Sequence, residues 1–216
     1  MKSFLTAGIF ALATLAALVI PGPGLASAGK APVILVYGDS LSAEYGLPRG
    51  AGWAALMEQR LKQLKMNYSV ANASISGETT AGGAARINAE LARVRPAIVI
   101  IELGGNDGLR GLALAATRAN LEAMIEAALK SGARVLLCGM QLPPNYGRDY
   151  TERFRAMYGE LAKRHKAALL PFFLEGIGER RELFQSDGIH PVAEAQPRIL
   201  DNVWTELAPL LKAPRK

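Results

Sequence analysis

Ser40 is the residue of this sequence best placed to act as a nucleophile. It follows Tyr37-Gly38-Asp39 at the end of the apolar run Val33-Ile34-Leu35-Val36. Such a run reads as a buried strand that delivers the hydroxyl to its carboxyl end, the side on which open α/β sheets bind ligands. Gly38 is expected to permit the tight turn there. A serine hydroxyl attacks a carbonyl only with a base within reach and donors ready for the oxyanion. The chain holds two histidines. His165, in Lys163-Arg164-His165-Lys166, closes a helical segment where the dipole favours cations, and is expected to be exposed and structural. His190 follows Asp187 by three residues, with Gly188 between them. That spacing lets the carboxylate orient the imidazole and support its charged form. The competing reading makes Asp187 a turn cap and Asp39-Ser40 plain turn residues. For the oxyanion, the candidates beside the N–H of Ser40 are the N–H of Gly77 and the amide of Asn106. Taken singly, each looks like an ordinary turn residue.

These residues need a frame that gathers them. The 216 residues are half apolar, enough for one domain with a sizeable core. Strand-like and helical patterns alternate. Strands are expected over Val33–Tyr37, Tyr68–Ala73, Ala97–Ile101, Arg134–Cys138 and Ala168–Leu170. Helices are expected over Trp53–Lys65, Gly83–Val94, Thr117–Lys130, Tyr150–Lys166 and Val192–Leu211. In the first helix, Trp53, Leu56, Met57, Leu61 and Leu64 form one apolar stripe. Near-continuous apolar strands imply burial on both faces. The fold class expected is therefore α/β: a three-layer α/β/α sandwich with a five-stranded parallel sheet, flavodoxin-like in topology. Polar, glycine-rich loops then collect at one sheet edge: Gly38-Asp39-Ser40, Asn72 to Thr79, Gly104 to Asp107, Leu142 to Gly147, and Asp187 to Pro191. Leu142, Pro143 and Tyr146, with Leu109 in the glycine-punctuated stretch Gly108 to Leu114, are expected to line an acyl groove. That stretch is also expected to serve as a movable cover.

The N-terminus reads differently. Lys2 precedes an apolar stretch from Phe4 to Ile20, broken by Pro21-Gly22-Pro23-Gly24 and followed by Ala26-Ser27-Ala28. This is the pattern of a secretory signal peptide cut after Ala28, leaving residues 29–216 as one domain. The stretch is shorter than the ~20 residues of a spanning helix, so no stable membrane insertion is expected after cleavage. A periplasmic or secreted location follows. With Lys2 gone the formal charge falls from +6 to +5. The basic residues are scattered, which excludes a nucleic-acid stripe. The single cysteine, Cys138, permits no internal disulfide and reads as a buried thiol. No paired His or Cys cluster suggests zinc, so neither metal nor other cofactor is expected. Gly-x-Ser-x-Gly is absent, which argues against the α/β-hydrolase type.

Taken together, Gly38-Asp39-Ser40, Gly77, Gly105-Asn106-Asp107 and Asp187-Gly188-Ile189-His190 resemble the four blocks of the SGNH hydrolases, also called the GDSL esterase/lipase family. The resemblance implies Ser40 as nucleophile, His190 as base, Asp187 as third member, and Ser40, Gly77 and Asn106 as oxyanion donors. Longer stretches, Asn72 to Gly77, Glu102 to Gly111 and Leu142 to Gly147, look like the branch of bacterial periplasmic thioesterases, lysophospholipases and arylesterases. That branch implies a monomer acting on small acyl esters, thioesters or lysophospholipids. Gln141 and Glu78 depart from the branch pattern and are expected at most to tune substrate choice. A carbohydrate acetylesterase, or a lipid- or glycan-binding module without turnover, stays open beside this reading.

Overall fold

The structure, a computed structural model, describes residues 31–212. The expected signal segment and its cleavage site lie outside the described residues. Five strands, β1 (Val33–Gly38), β2 (Ser69–Asn72), β3 (Ile98–Glu102), β4 (Arg134–Cys138) and β5 (Ala168–Leu170), form one sheet in the order β2-β1-β3-β4-β5. Every pairing is parallel. β3 is buried along its whole length, as expected of a strand covered on both faces. Among the described residues, six α-helices surround the sheet: α1 (Trp53–Gln63), α2 (Thr80–Val94), α3 (Gly105–Leu109), α4 (Leu114–Lys130), α5 (Arg148–His165) and α6 (Gln196–Lys212). From β1 the chain first moves out to β2, then returns past β1 to β3 and onward. Right-handed crossovers therefore put α1 on one face and α2, α4 and α5 on the other. α6 packs beside α1, while α2, α4 and α5 lie side by side. The reversal opens a crevice between the carboxyl ends of β1 and β3.

The helix starts differ from the sequence reading for physical reasons. α2 begins at Thr80, because Thr79 caps it by accepting a hydrogen bond from the N–H of Gly82. Gly82 and Gly83 are inside the helix. A Cβ on Gly83 would come within 2.6 Å of Leu103 Cδ1 and 2.9 Å of Met124 Sδ, so this glycine serves close packing. α4 begins at Leu114, with Thr117 buried inside it. α6 begins at Gln196, with Pro197 in its first turn, where a missing N–H does no harm. Leu64 is no part of the apolar stripe of α1; it is the C-cap and is 55% exposed. The short helix α3 was unforeseen. It starts after Gly104, whose φ of 109° requires glycine. Cys138 is fully buried, as expected.

Candidate active site

β1 ends at Gly38, opposite Glu102 at the end of β3 in the sheet register. Ser40 therefore emerges in the crevice between the two strands. The loop 184–191 brings His190 to it. His190 Nε2 lies 2.9 Å from Ser40 Oγ, and His190 Nδ1 lies 2.7 Å from Asp187 Oδ2. Asp187 Oδ1 accepts the N–H groups of Ile189 (2.9 Å) and His190 (3.1 Å). The contact with His190, then the N–H of Ile189, hold the Asp187 carboxyl down at a pKa of about 2. It is thus an anion throughout the neutral range, aimed at the far nitrogen of the ring that faces the serine. This arrangement can move a proton from Ser40 Oγ to His190 Nε2.

The loop is fastened at several points. Phe184 and Pro191 form an antiparallel bridge across its base. Arg181 donates to the carbonyls of Gln185 (2.7 Å) and Ser186 (2.9 Å). The Gln185 amide donates to the carbonyl of Tyr45 at 2.9 Å. The Tyr45 ring in turn lies against His190, with centroids 4.3 Å apart and planes inclined by 37°. None of these supports was read from the sequence.

On the strand side, Asn106 sits in the first turn of α3. Its Nδ2 donates to Asp39 Oδ2 at 3.0 Å and to the carbonyl of Glu78 at 3.1 Å. Asp39 Oδ1 accepts the N–H of Leu41 at 3.1 Å. Below lies Glu102, fully buried, whose Oε2 accepts from Ser42 Oγ (2.7 Å) and the N–H of Asp39 (3.4 Å). Among the described residues, Glu102 Oε1 has no partner. Burial raises the Asp39 carboxyl to a pKa of about 6. Burial, reinforced by Asp39, raises that of Glu102 well above the usual range. Glu102 was missed by sequence reasoning, although a lone acid closing the apolar stretch Ile98–Ile101 is a readable signal. Gly38 is required for close approach rather than for a turn. A Cβ there would meet Glu102 Oε2 at 2.6 Å. Gly77 is exposed and adopts φ 78°, a conformation that favours glycine; an added Cβ would lie 4.0 Å from Arg110 Nη2.

A cavity of about 770 Å³ opens beside Ser40, His190 and Asn106. Leu109, Leu142 and Pro143 line it, with Gln141, Met140 and Phe172. Tyr146 does not: its hydroxyl donates to the carbonyl of Leu109 at 2.9 Å, so it braces the wall from behind. The expected movable cover is partly helix α3, and the hydroxyl of Tyr150 ties its far end at Leu112. Glu78 faces away from the cavity, paired with Arg86 at 2.6 Å; only its backbone carbonyl reaches the site. His165 is not exposed as expected. It is 13% exposed and bonded to Glu122 at 2.8 Å. With Glu126 these two form a group spaced for a metal, but Glu122 also receives Arg164 at 2.8 Å, which satisfies its charge.

The sequence matches the GDSL-like lipase/acylhydrolase family over residues 36–196. It is 54% identical over 187 residues to esterase TesA of Pseudomonas aeruginosa, covering 87% of this chain and 93% of that protein. It is 43% identical over 184 residues to thioesterase 1/protease 1/lysophospholipase L1 of Escherichia coli, covering 85% and 87%. The crystal structure of the psychrotrophic esterase EstA from Pseudoalteromonas sp., inhibited by monoethylphosphonate, superimposes with a TM-score of 0.80 at 36% identity, covering 84% of this chain and 99% of that one.

Proposed function

The chain belongs to the GDSL-like lipase/acylhydrolase family, and we propose that it is a serine esterase that hydrolyses acyl esters and thioesters through an acyl-enzyme on Ser40. The observation that carries the reading is the relay of 2.7 Å and 2.9 Å from Asp187 through His190 to Ser40. Ser40 Oγ attacks the acyl carbonyl while His190 Nε2 takes its proton. The N–H groups of Ser40 and Gly77 and the Asn106 amide receive the oxyanion. As the tetrahedral adduct collapses, the bond to the alcohol or thiol breaks and His190 returns the proton to the leaving group. Water then repeats the sequence and frees the acid. The anionic Asp187 supports the imidazolium in each step.

The cavity supports a substrate with an acyl chain. Its volume far exceeds that of an acetyl group, and Leu109, Leu142, Pro143 and Phe172 offer it apolar walls. Aryl esters, lysophospholipids and acyl thioesters are the substrate classes proposed. Residues 1–28 are proposed to be an export signal, which places the enzyme in the periplasm or outside the cell. No helix among the described residues is long and apolar enough to cross a membrane.

A fluorophosphonate probe should label Ser40, and Ser40→Ala should abolish both labelling and turnover. A series of nitrophenyl esters should show activity well beyond acetyl. Near wild-type kcat in Ser40→Ala would refute the mechanism. Turnover confined to acetyl esters would replace the substrate class with that of a carbohydrate acetylesterase.

A further inference from the structure

An amide nitrogen carries two protons. In Asn106 one faces Asp39 Oδ2 and the other the carbonyl of Glu78. If Asn106 is an oxyanion donor, as the proposed function has it, one of these partners must give way. The two differ sharply. Asp39 is 2% exposed, and its other oxygen already holds the N–H of Leu41. Removing Asn106 would leave a buried carboxylate short of a donor, a costly outcome. The Glu78 carbonyl follows the exposed stretch Ile75–Gly77, where water can replace the lost bond. A hydrogen bond to a carboxylate is also the stronger of the two.

We propose that Asp39 is the positioning residue of the oxyanion hole. Its buried carboxylate holds the Asn106 amide fixed, and the Glu78 carbonyl is the place-holder that releases the second Asn106 N–H to the oxyanion. Two features strengthen the assignment. Asp39 directly precedes Ser40, so a single residue sets the nucleophile and the donor relative to each other. Asp39 is itself fastened from below, its N–H directed at Glu102 Oε2, which also receives the Ser42 hydroxyl. Trp53 Nε1 donates to that hydroxyl at 3.2 Å, which ties the network into the core.

The test is a double-mutant cycle on a nitrophenyl ester. Asp39→Asn keeps the size but offers one acceptor where the carboxylate offers two, so Leu41 or Asn106 must lose its bond. Asp39→Asn should lower kcat by about 10-fold to 10²-fold, less than the roughly 10²–10³ expected for Asn106→Ala, with KM little changed. In the Asn106→Ala background it should lower kcat less than about 3-fold, because residues acting through one group are not additive. An equal loss in both backgrounds would overturn the positioning role. An Asn106→Ala enzyme with unchanged kcat would instead remove the donor role of Asn106 from the proposed function. A second measurement needs no variant. When an ethylphosphonate probe is bound to Ser40, the Asn106 side-chain proton facing Glu78 should shift in the NMR spectrum and the one facing Asp39 should stay. The reverse pattern would overturn the proposal.

Discussion

On one side of Ser40, Asp187 sits in a loop with its side chain 37% exposed. On the other, Asp39 and Glu102 are 2% and 0% exposed beneath the crevice. All three are carboxylic acids, but Asp187 reaches the Ser40 hydroxyl through His190, whereas Glu102 binds that of Ser42. The first is held near a pKa of 2 by hydrogen bonds to its charged form. The others are pushed upward, Asp39 to about 6, because burial disfavours charge. Water and donors make Asp187 a dependable anion at neutral pH. Desolvation, strongest at fully buried Glu102, lets that acid keep a proton where an isolated one would lose it. On the proposed mechanism, the loop side manages charge during the reaction and the strand side manages geometry.

The sharpest way to break this contrast is Asp187→Asn. The change keeps size and removes the charge. By analogy with other serine triads it should lower kcat by about 10⁴-fold, since the tautomer and orientation of His190 are no longer fixed. A loss below about 10-fold would mean that the carboxylate is not coupled to the base. A second measurement compares the two aspartates directly, through carboxyl ¹³C titration. Asp187 should titrate at about 2 and Asp39 at about 6. The signs for stability are opposite. Asp187 supports the fold above its unfolded pKa of about 3.9, and that support is lost as the pH falls through about 2. Asp39 burdens the fold above about 6, and that burden disappears as the pH falls from there toward its unfolded value. Similar midpoints for the two would erase the comparison.

The smallest effect expected is on stability alone. Glu102→Gln mimics the protonated acid and cannot ionise. Its unfolding temperature relative to wild type should rise with pH, by about 2–4 °C for each kcal/mol of relieved ionisation. A difference that is flat from pH 5 to pH 9 would show that the Glu102 carboxyl is not held neutral by its surroundings.

Much of this frame is legible in the sequence. Arg134–Cys138 and Ala168–Leu170 stand where the apolar runs put them. The structure brings Ser40, Asp187 and His190 together from loops that the strand alternation assigns to one edge. What escaped depends on contacts between distant segments. The expected helix starts at Gly83, yet α2 begins three residues earlier, at Thr80. Tyr146 looked like a wall residue because its loop is apolar, but its hydroxyl finds the Leu109 carbonyl from behind. The Tyr45 ring against His190 joins residues about two-thirds of the chain apart and leaves no local pattern to read. The Glu78 carbonyl is a backbone atom, and side-chain identity says nothing of it.

That reach across the chain has a consequence for the order in which the protein comes into being. Ser40 and His190 are 150 positions apart, and Trp53, beside the serine loop, hydrogen-bonds Gln196 from 143 positions away. Chains emerge N-terminus first. For most of its synthesis the polypeptide therefore carries a serine without a base. On the proposed roles of Ser40 and His190, hydrolysis can begin only once the C-terminal segment that carries His190 has arrived and folded back onto the serine loop. On that assignment a fragment that stops short of residue 190 lacks its base, so the timing of activity is written into topology.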